Sequence, residues 1–375
     1  MTSTLSDRPP RRAALRRVGA ADADLDALLD YTANPFDLSG PLVLGDEPFV
    51  PIWAEYLAEA DAIGVFPVLQ RVLHQLRFPV RDGISQTEGY RAATRRGDLS
   101  ALGADGLFEG GLQLVDPDRL RLDLHPTPAG RIPVLTAPVR EDFVALVQAL
   151  TRRNEPTPLP DSMGALMVSG YNNWDRVRRY REAWEAEGGD GSWGSAFQSL
   201  IPQRDLYQDR LILLSEGRYS AVPASAFGLS ESDWIQTSHV IRREHECAHY
   251  YCRRALGAMQ HNAFDEVIAD AYGILQANGT YRPDWHRRFL GLRGDGRLPE
   301  EGGRLWNYRA DLSDGAFAAL ARLVDRAIDG LAVSLGPAGA SLDDDAALLR
   351  FLASRGLTEW ADTALEHDSA AQAVS

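Results

Sequence analysis

The sequence predicts a predominantly helical α+β protein. Long segments have helical apolar spacing and contain neither Gly nor Pro, and Trp234 to Leu256 is the clearest of them. Short apolar runs of strand length are fewer, and they cluster between residues 107 and 134 and at Arg210 to Leu214. The chain has 375 residues, of which 45% are hydrophobic and 25% are charged. That composition is ordinary for a globular protein, and the length suffices for one large or two modest domains.

The N-terminal half predicts a basic tail followed by a mixed α/β region. Residues 1–20 hold five arginines around Pro9 and Pro10, which is typical of a disordered segment. Residues 21–160 form the mixed region, in which the short runs Leu112 to Val115 and Leu120 to Leu124 indicate a small antiparallel sheet. Helices are expected at 22–31, 52–76 and 140–152, and a Pro-rich linker at 154–160.

The remaining chain predicts a second domain over residues 161–310, a helical region over 311–366 and a disordered tail over 367–375. The expected elements are strands at 165–168 and 210–214 and helices at 174–187, 234–256, 262–278, 315–335 and 341–353.

Charge and cysteine content narrow the choice of partner and compartment. The formal net charge of −14 argues against nucleic acid or an anionic membrane as the main partner, because both require a positive face. No apolar stretch follows the N-terminal arginines, so no signal peptide is predicted. The two cysteines lie close together on one predicted helix, which favours a cytoplasmic protein without disulfides. The oligomeric state is not predicted.

One sequence motif indicates a metal-binding site. His245-Glu246-Cys247-Ala248-His249 lies in the middle of a predicted helix whose start resembles a capping box at Ser230. Residues four apart share a helix face, so His245 and His249 can present two imidazole nitrogens to one metal, with Glu246 beside the open coordination position. Zinc takes such neutral nitrogen donors, with a carboxylate as the third protein ligand.

The following helix offers that carboxylate. Glu266, Ala269, Asp270 and Gly273 lie on one stripe, and the two small residues allow another backbone to approach closely.

These residues resemble the gluzincin zinc metallopeptidases, in which an H-E-x-x-H helix precedes a helix with E-x-x-x-D. The resemblance implies a zincin-like metal-binding domain with one Zn²⁺ per chain, held by His245, His249 and Glu266. It also implies that Glu246 activates water and that Asp270 holds a ligand histidine in its tautomer. The longer string from Arg242 to Tyr251 is similar to an uncharacterised bacterial family with the same core.

The implied activity is that of a zinc-dependent hydrolase acting on a peptide or amide bond. Gluzincins commonly supply an oxyanion donor from outside the motif, and the candidates here are Tyr250, His286, Tyr308 and Arg309. By the same resemblance Arg210 to Leu214 is an edge strand beside an extended substrate, although its composition equally suits a core strand.

Several alternatives stay open. Glu246 to His249 also matches the E-x-x-H motif of di-iron helical bundles. Cys247 and Cys252 are either thiolate ligands or small buried residues. A structural metal site would need a fourth protein ligand, for which His261, Asp265 and His286 are candidates. If the zinc enzyme is a lyase, cyclase or non-peptide hydrolase, its substrate would be a small molecule. A further alternative is a zinc-stabilised binding protein without catalytic activity.

Overall fold

Helices dominate the protein, which confirms the predicted fold class. The computed structural model describes residues 8–189, 191–294, 297–336 and 344–374. The helices of this described part are α1 (Arg8–Arg17), α2 (Leu25–Tyr31), α3 (Val50–Ile63), α4 (Val65–Val72), α5 (Glu88–Arg96), α6 (Arg140–Thr151), α7 (Trp174–Ala186), α8 (Trp193–Leu200), α9 (Glu231–Ala255), α10 (Ala263–Asn278), α11 (Pro283–Leu290), α12 (Asp314–Leu335), α13 (Asp345–Ala353) and α14 (Leu357–Val374). The strands are β1 (Arg121–His125), β2 (Ile132–Ala137), β3 (Ala165–Asn172) and β4 (Gln208–Ser215).

The chain forms two compact units, and one of them is discontinuous in sequence. The first unit combines Met1–Leu44 with Gly217–Ser375, and the second is Gly45–Glu216. The predicted boundary near residue 160 is therefore wrong, as is the separation of residues 311–366 from the helices before them. A boundary of this kind depends on contacts between distant segments, which local composition does not encode.

The first unit is built from helices in its described residues, with α9 packed along α10 and α12 packed along α14. Gly330 of α12 lies directly against the carbonyl oxygen of Trp360 in α14, where a side chain would not fit. Trp234, Trp285, Phe289 and Phe227 form a ring cluster beside the start of α9, with centroids 4.5–6.4 Å apart. This packing fixes the two helices that carry the predicted metal ligands.

The second unit holds the sheet, whose strand order is β1-β2-β4-β3. The predicted strand at Leu120 to Leu124 is present as β1 and pairs antiparallel with β2, but β2 runs parallel to β4, so the sheet is mixed rather than antiparallel. β4 pairs on its other side with β3. The stretch from Arg210 to Leu214 is thus a central strand with both edges hydrogen-bonded, and the expectation of an edge strand is wrong. Its buried apolar run already fitted a core strand.

Three local predictions in the second unit are corrected by tertiary contacts. The helix expected over 52–76 breaks at Gly64, whose φ of 90° no helix accommodates. Leu112 to Val115 is not a strand, because the Leu112 N–H donates to the Leu76 carbonyl and the Val115 N–H to Asp142. The expected linker at 154–160 is anchored: the buried Asn154 amide donates to the carbonyl oxygens of Gln75 and Phe78.

Both expected disordered tails are helical where the structure describes them. Residues 1–7 and Ser375 lie outside the described residues. Arg8–Arg17 forms α1 because Ala14 and Leu15 are buried and the Arg11 guanidinium donates to Thr32, 3.0 Å away. Residues 367–374 continue α14, in keeping with the high helix propensity of their alanines. The first three residues of the helix expected at 341–353 are also outside the described part, and the rest begins at Asp345. Among the described residues, no helix is long and apolar enough to cross a membrane.

His74 of the second unit makes stability depend on pH. The ring is buried and its Nδ1 lies 2.9 Å from the Ala93 carbonyl oxygen, while burial lowers the pKa of His74 from 6.5 to about 4. Between these values the unfolded chain binds a proton that the folded chain excludes, so stability is full above pH 6.5 and is lost as the pH falls towards 4. The loss is at most about 3 kcal/mol.

The comparison that checks this is urea unfolding of wild type and His74→Gln, whose amide can still donate to Ala93. The difference in unfolding free energy is expected to change across pH 6.5 to 4 and to be constant above 6.5. Two curves that stay parallel over the whole range would contradict the assignment.

Candidate metal centre

Helix α9 places the two motif histidines on one face. The helix begins after Ser230, whose hydroxyl accepts the Asp233 N–H at 3.1 Å, as the capping pattern predicts. Four residues of separation then bring the Nε2 atoms of His245 and His249 to 3.0 Å from each other. The two residues are only 7% and 4% exposed, so both rings lie in a poorly solvated environment.

Helix α10 brings the carboxylate to this pair. Asn262 caps its start by accepting the Phe264 and Asp265 N–H groups. At Gly273 an added Cβ would meet the Ile241 carbonyl oxygen of α9 at 2.8 Å, so this position requires the close backbone approach that only glycine permits. Glu266 consequently lies with Oε2 3.5 Å from Nε2 of His245 and Oε1 3.4 Å from Nε2 of His249.

The donor atoms of the three residues lie close enough together to share a metal ion. The two Nε2 atoms are 3.0 Å apart and each lies 3.4–3.5 Å from one of the two Glu266 oxygens, which is close to the roughly 3.3 Å edge of a tetrahedron with bonds of about 2.0–2.1 Å, the usual zinc–nitrogen and zinc–oxygen lengths. Two imidazoles and one carboxylate also match the donor set of catalytic zinc sites, which leave one position open. His245, His249 and Glu266 therefore fit a zinc ion in both spacing and chemistry.

The charges of this cluster are strongly coupled. Burial opposes the charged form of His249, but the hydrogen bond and negative charge of Glu266 outweigh it and raise the pKa of His249 to about 9. Burial likewise favours neutral Glu266, whereas His249, His245 and Arg304 lower the pKa of that carboxyl to about 2. At neutral pH the metal-free site thus holds one proton on the histidine beside an ionised carboxylate. A metal bound by these residues would have to displace that proton, so its apparent affinity would rise with pH up to about 9.

Asp270, the second carboxylate of the stripe, orients His245. Its Oδ1 lies 2.9 Å from His245 Nδ1, and the residue is fully buried. Burial raises the pKa of Asp270, but the nearby Arg304 and His245 hold it well below its usual range. An ionised Asp270 accepts a hydrogen bond from the Nδ1–H group of His245, which leaves the Nε2 lone pair of that ring free for a metal.

The sequence interpretation missed two residues that complete this arrangement. Tyr219, in the segment between β4 and α9, donates its hydroxyl to Asp270 at 2.6 Å and lies 2.9 Å from His245 Nδ1. Arg304, in a 3-10 turn after α11, donates to the Tyr219 hydroxyl at 2.8 Å and to Asp270, and lies 3.8 Å from Glu266. Its guanidinium lowers the pKa of Asp270 and, more weakly, that of Glu266. Neither residue has a local sequence signal, because both reach the site from separate loops.

Glu246 is available for proton transfer. It lies on α9 between the two histidines and is 7% exposed. Burial raises its pKa, against the opposing charges of His249 and His245, and its carboxylate accepts no hydrogen bond from the residues that the structure describes. A carboxylate in this state binds a proton more firmly than a solvated one.

Three of the four candidate oxyanion donors, Tyr250, Arg309 and His286, lie beside residues other than the three predicted ligands. Tyr250 is fully buried and its hydroxyl lies 3.3 Å from Arg254. Arg309 points away, since it donates to the Leu312 carbonyl oxygen and pairs with Asp314. His286 Nε2 lies 3.8 Å from Oδ2 of Asp270, and burial lowers the pKa of His286 to about 4.

Tyr308 is the remaining candidate, and it lies beside Glu266. Burial, followed by the Glu266 charge, raises the pKa of the Tyr308 hydroxyl. The hydroxyl therefore stays protonated at neutral pH and is able to donate a hydrogen bond.

In the part of the chain that the structure describes, the group around Glu266 contains neither a fourth protein ligand nor a cysteine. Among the described residues, the group around Glu266 consists of the three predicted ligands and includes none of His261, Asp265 and His286. Asp265 instead accepts the N–H groups of Gln260 and His261. Cys247 and Cys252 are buried free thiols whose pKa values are raised by burial, which disfavours the thiolate form.

Fold and site together define an α+β protein with a buried cluster of two histidines and one glutamate that could hold a metal ion. The chain belongs to the family of unknown function DUF7005, whose model matches residues 13–363. No curated protein and no solved structure matches the chain.

Proposed function

We propose that the protein is a zinc-dependent hydrolase in which Glu246 acts as the general base. The observation that carries the proposal is the 3.0–3.5 Å spacing of the His245, His249 and Glu266 donor atoms, with Glu246 beside them on the same helix. When bound, zinc supplies a Lewis acid that lowers the pKa of water and polarises a carbonyl group.

The chain's own residues would divide the remaining work. Glu246 accepts a proton from the attacking water, and its raised pKa favours this transfer near neutral pH. It then delivers the proton to the leaving group. Asp270 keeps the His245 ring in one tautomer and orientation, and Tyr219 and Arg304 in turn hold Asp270. Tyr308 is the candidate donor to the oxyanion that forms on the substrate carbonyl.

A peptide or amide bond is the first substrate class, on the resemblance of the motif to gluzincins. A small-molecule substrate is the second candidate, and one observation favours it. An extended peptide adds to a free sheet edge, and β4, which was expected to offer that edge, is paired on both sides. A lyase, a cyclase or a non-peptide hydrolase would use the same residues on an enclosed metabolite.

The test compares zinc content and hydrolysis in wild type, Glu246→Gln and Glu231→Gln. A quenched peptide library and a panel of small amides and esters serve as substrates. Glu246→Gln is expected to retain one zinc per chain and to lower turnover about 100- to 10,000-fold, as loss of a general base does. Glu231 is the matched control, because it is an exposed carboxylate on the same helix and pairs with Arg218.

Three outcomes contradict parts of the proposal. If the wild-type protein holds no zinc after purification in zinc-containing buffer, the proposed metal site is refuted. Turnover that Glu246→Gln leaves unchanged removes the general base. Zinc binding without turnover, together with unfolding of His249→Ala, indicates a zinc-stabilised binding protein instead.

A further inference from the structure

A cationic cleft in the second unit carries an inference independent of the metal centre. The cleft has a volume of about 540 Å³, within the range of small-ligand sites. All its lining residues belong to the 45–216 unit. Five are arginines, two are tryptophans and one is an acid: Arg71, Arg77, Arg96, Arg178, Arg181, Trp174, Trp193 and Asp175. This excess of positive charge stands out in a chain whose formal net charge is −14.

Arg77 lacks a counter-charge. It ends the 3-10 turn His74–Arg77 and donates to two backbone carbonyl oxygens, of Gly106 at 3.1 Å and of Arg71 at 2.6 Å. No carboxylate among the described residues pairs with it, and its Nε is buried without a hydrogen-bond partner. Burial, followed by the charge of Arg71, lowers the pKa of Arg77. The guanidinium groups of Arg71 and Arg77 are thus held close together. Among the described residues only one carboxylate, that of Glu59, forms an ion pair with either of them, and its partner is Arg71.

Three of the other four arginines are paired in a way that an incoming anion can exchange, whereas Arg178 pairs with Asp175 of the cleft itself. Arg71 and Arg96 pair with Glu59 and Glu88, whose side chains are not part of the cleft lining, and Arg181 pairs similarly with Glu185. These pairs are exposed, and exposed ion pairs contribute only about 0–1 kcal/mol. Their guanidinium groups can therefore turn towards a ligand at little energetic cost.

The cleft also has an aromatic lining, made of Trp174 and Trp193. Trp174 donates its indole N–H to the Thr94 carbonyl oxygen at 2.9 Å and stacks on Phe197 at a centroid distance of 6.1 Å. Trp193 packs on the same phenylalanine at 5.8 Å and lies under the Arg181 guanidinium at 5.6 Å. Fixed indole faces beside guanidinium groups suit a flat ring that carries a strong negative charge.

We propose that this cleft binds a phosphorylated aromatic metabolite, with Arg77 contacting the phosphate and Trp193 the ring. Phosphate is the group of choice because its double charge and several oxygens match a set of guanidinium forks.

The experiment is calorimetric titration of the full-length protein with AMP, adenosine and inorganic phosphate. AMP is expected to bind one to one, and Arg77→Gln to weaken binding about 10–100-fold, as loss of a hydrogen bond to a charged group does. Trp193→Leu is expected to weaken it about tenfold through lost stacking. Arg121→Gln is the matched control and should bind like wild type, because Arg121 is an exposed, ion-paired arginine of the same unit that does not line the cleft.

Arg96→Gln is a second variant of the cleft, in case Arg77→Gln does not fold, and it too should weaken AMP binding. Absence of saturable AMP binding, or equal affinity in the cleft variants and Arg121→Gln, overturns the proposal. Phosphate alone binding as tightly as AMP overturns the assignment of an aromatic ligand, and adenosine binding as tightly as AMP overturns the phosphate contact. Zinc content and turnover are separate measurements, so failure here is distinguishable from failure of the proposed hydrolase.

Discussion

Replacing Glu266 by alanine is expected to abolish stoichiometric zinc binding while the helices stay folded. Glu266 is the donor that links α10 to both histidines of α9, at 3.4 and 3.5 Å. Loss of an outer partner of a metal ligand weakens affinity about 10–100-fold, and loss of the ligand itself should exceed that range. Elemental analysis after dialysis and competition with a coloured chelator measure the change.

The same substitution has a second readout that needs no metal. Burial lowers the pKa of His249, and Glu266 is the main group that raises it to about 9, so in Glu266→Ala that pKa should fall. NMR titration of the imidazole in metal-free protein detects this fall. Circular dichroism controls for misfolding, and Glu246→Gln is the matched control for zinc binding, since it removes a neighbouring carboxylate that is not a proposed ligand. Zinc binding that survives Glu266→Ala would refute the ligand set.

Replacing Arg304 by methionine is expected to produce the largest loss of stability in the first unit. Arg304 donates to Asp270 and to Tyr219 and lies 3.8 Å from Glu266, and its side chain is only 12% exposed. Its removal leaves the buried Asp270 without its main cation and takes one of the positive charges from the neighbourhood of Glu266. Breaking a buried pair in this way destabilises proteins by about 3–5 kcal/mol. Methionine fills much of the space, so the effect reports charge rather than a cavity.

The pH dependence of this loss has a definite sign. In the wild type the pKa of Asp270 lies well below its usual range and that of Glu266 is about 2, so both contribute stability above the unfolded-state values near 4. Without Arg304 these pKa values rise and that contribution shrinks. The difference between wild type and variant is therefore largest at neutral pH and diminishes below about pH 4.

Arg309→Met is the matched control for Arg304→Met. Arg309 follows the same 3-10 turn but pairs with Asp314, whose side chain is 87% exposed, and its loss should change stability by no more than about 1 kcal/mol. Urea unfolding in the presence of a chelator measures both variants without compensation from bound metal. Equal effects of the two substitutions would show that Arg304 does not stabilise the carboxylates.

The motif helices could be predicted because their signals are local. The spacing of His245 and His249 fixes a common helix face, Ser230 fixes where α9 begins, and Gly273 indicates a close neighbour. Each inference uses residues within a few turns of one another. The prediction that Glu266 and Asp270 lie on a stripe towards α9 follows from the same periodicity.

The class of fold, the two motif helices and the candidate site residues on them follow from local patterns in the sequence. Contacts between distant segments, in contrast, return the chain to its first unit after residue 216, place β4 in the centre of the sheet, and bring Tyr219 and Arg304 together at Asp270. They also separate Tyr308, beside Glu266, from the adjacent Arg309, which faces elsewhere. The physical reason is range: helix periodicity and capping act over a few residues, whereas strand pairing and buried charge pairs join segments whose separation in sequence carries no periodic signal.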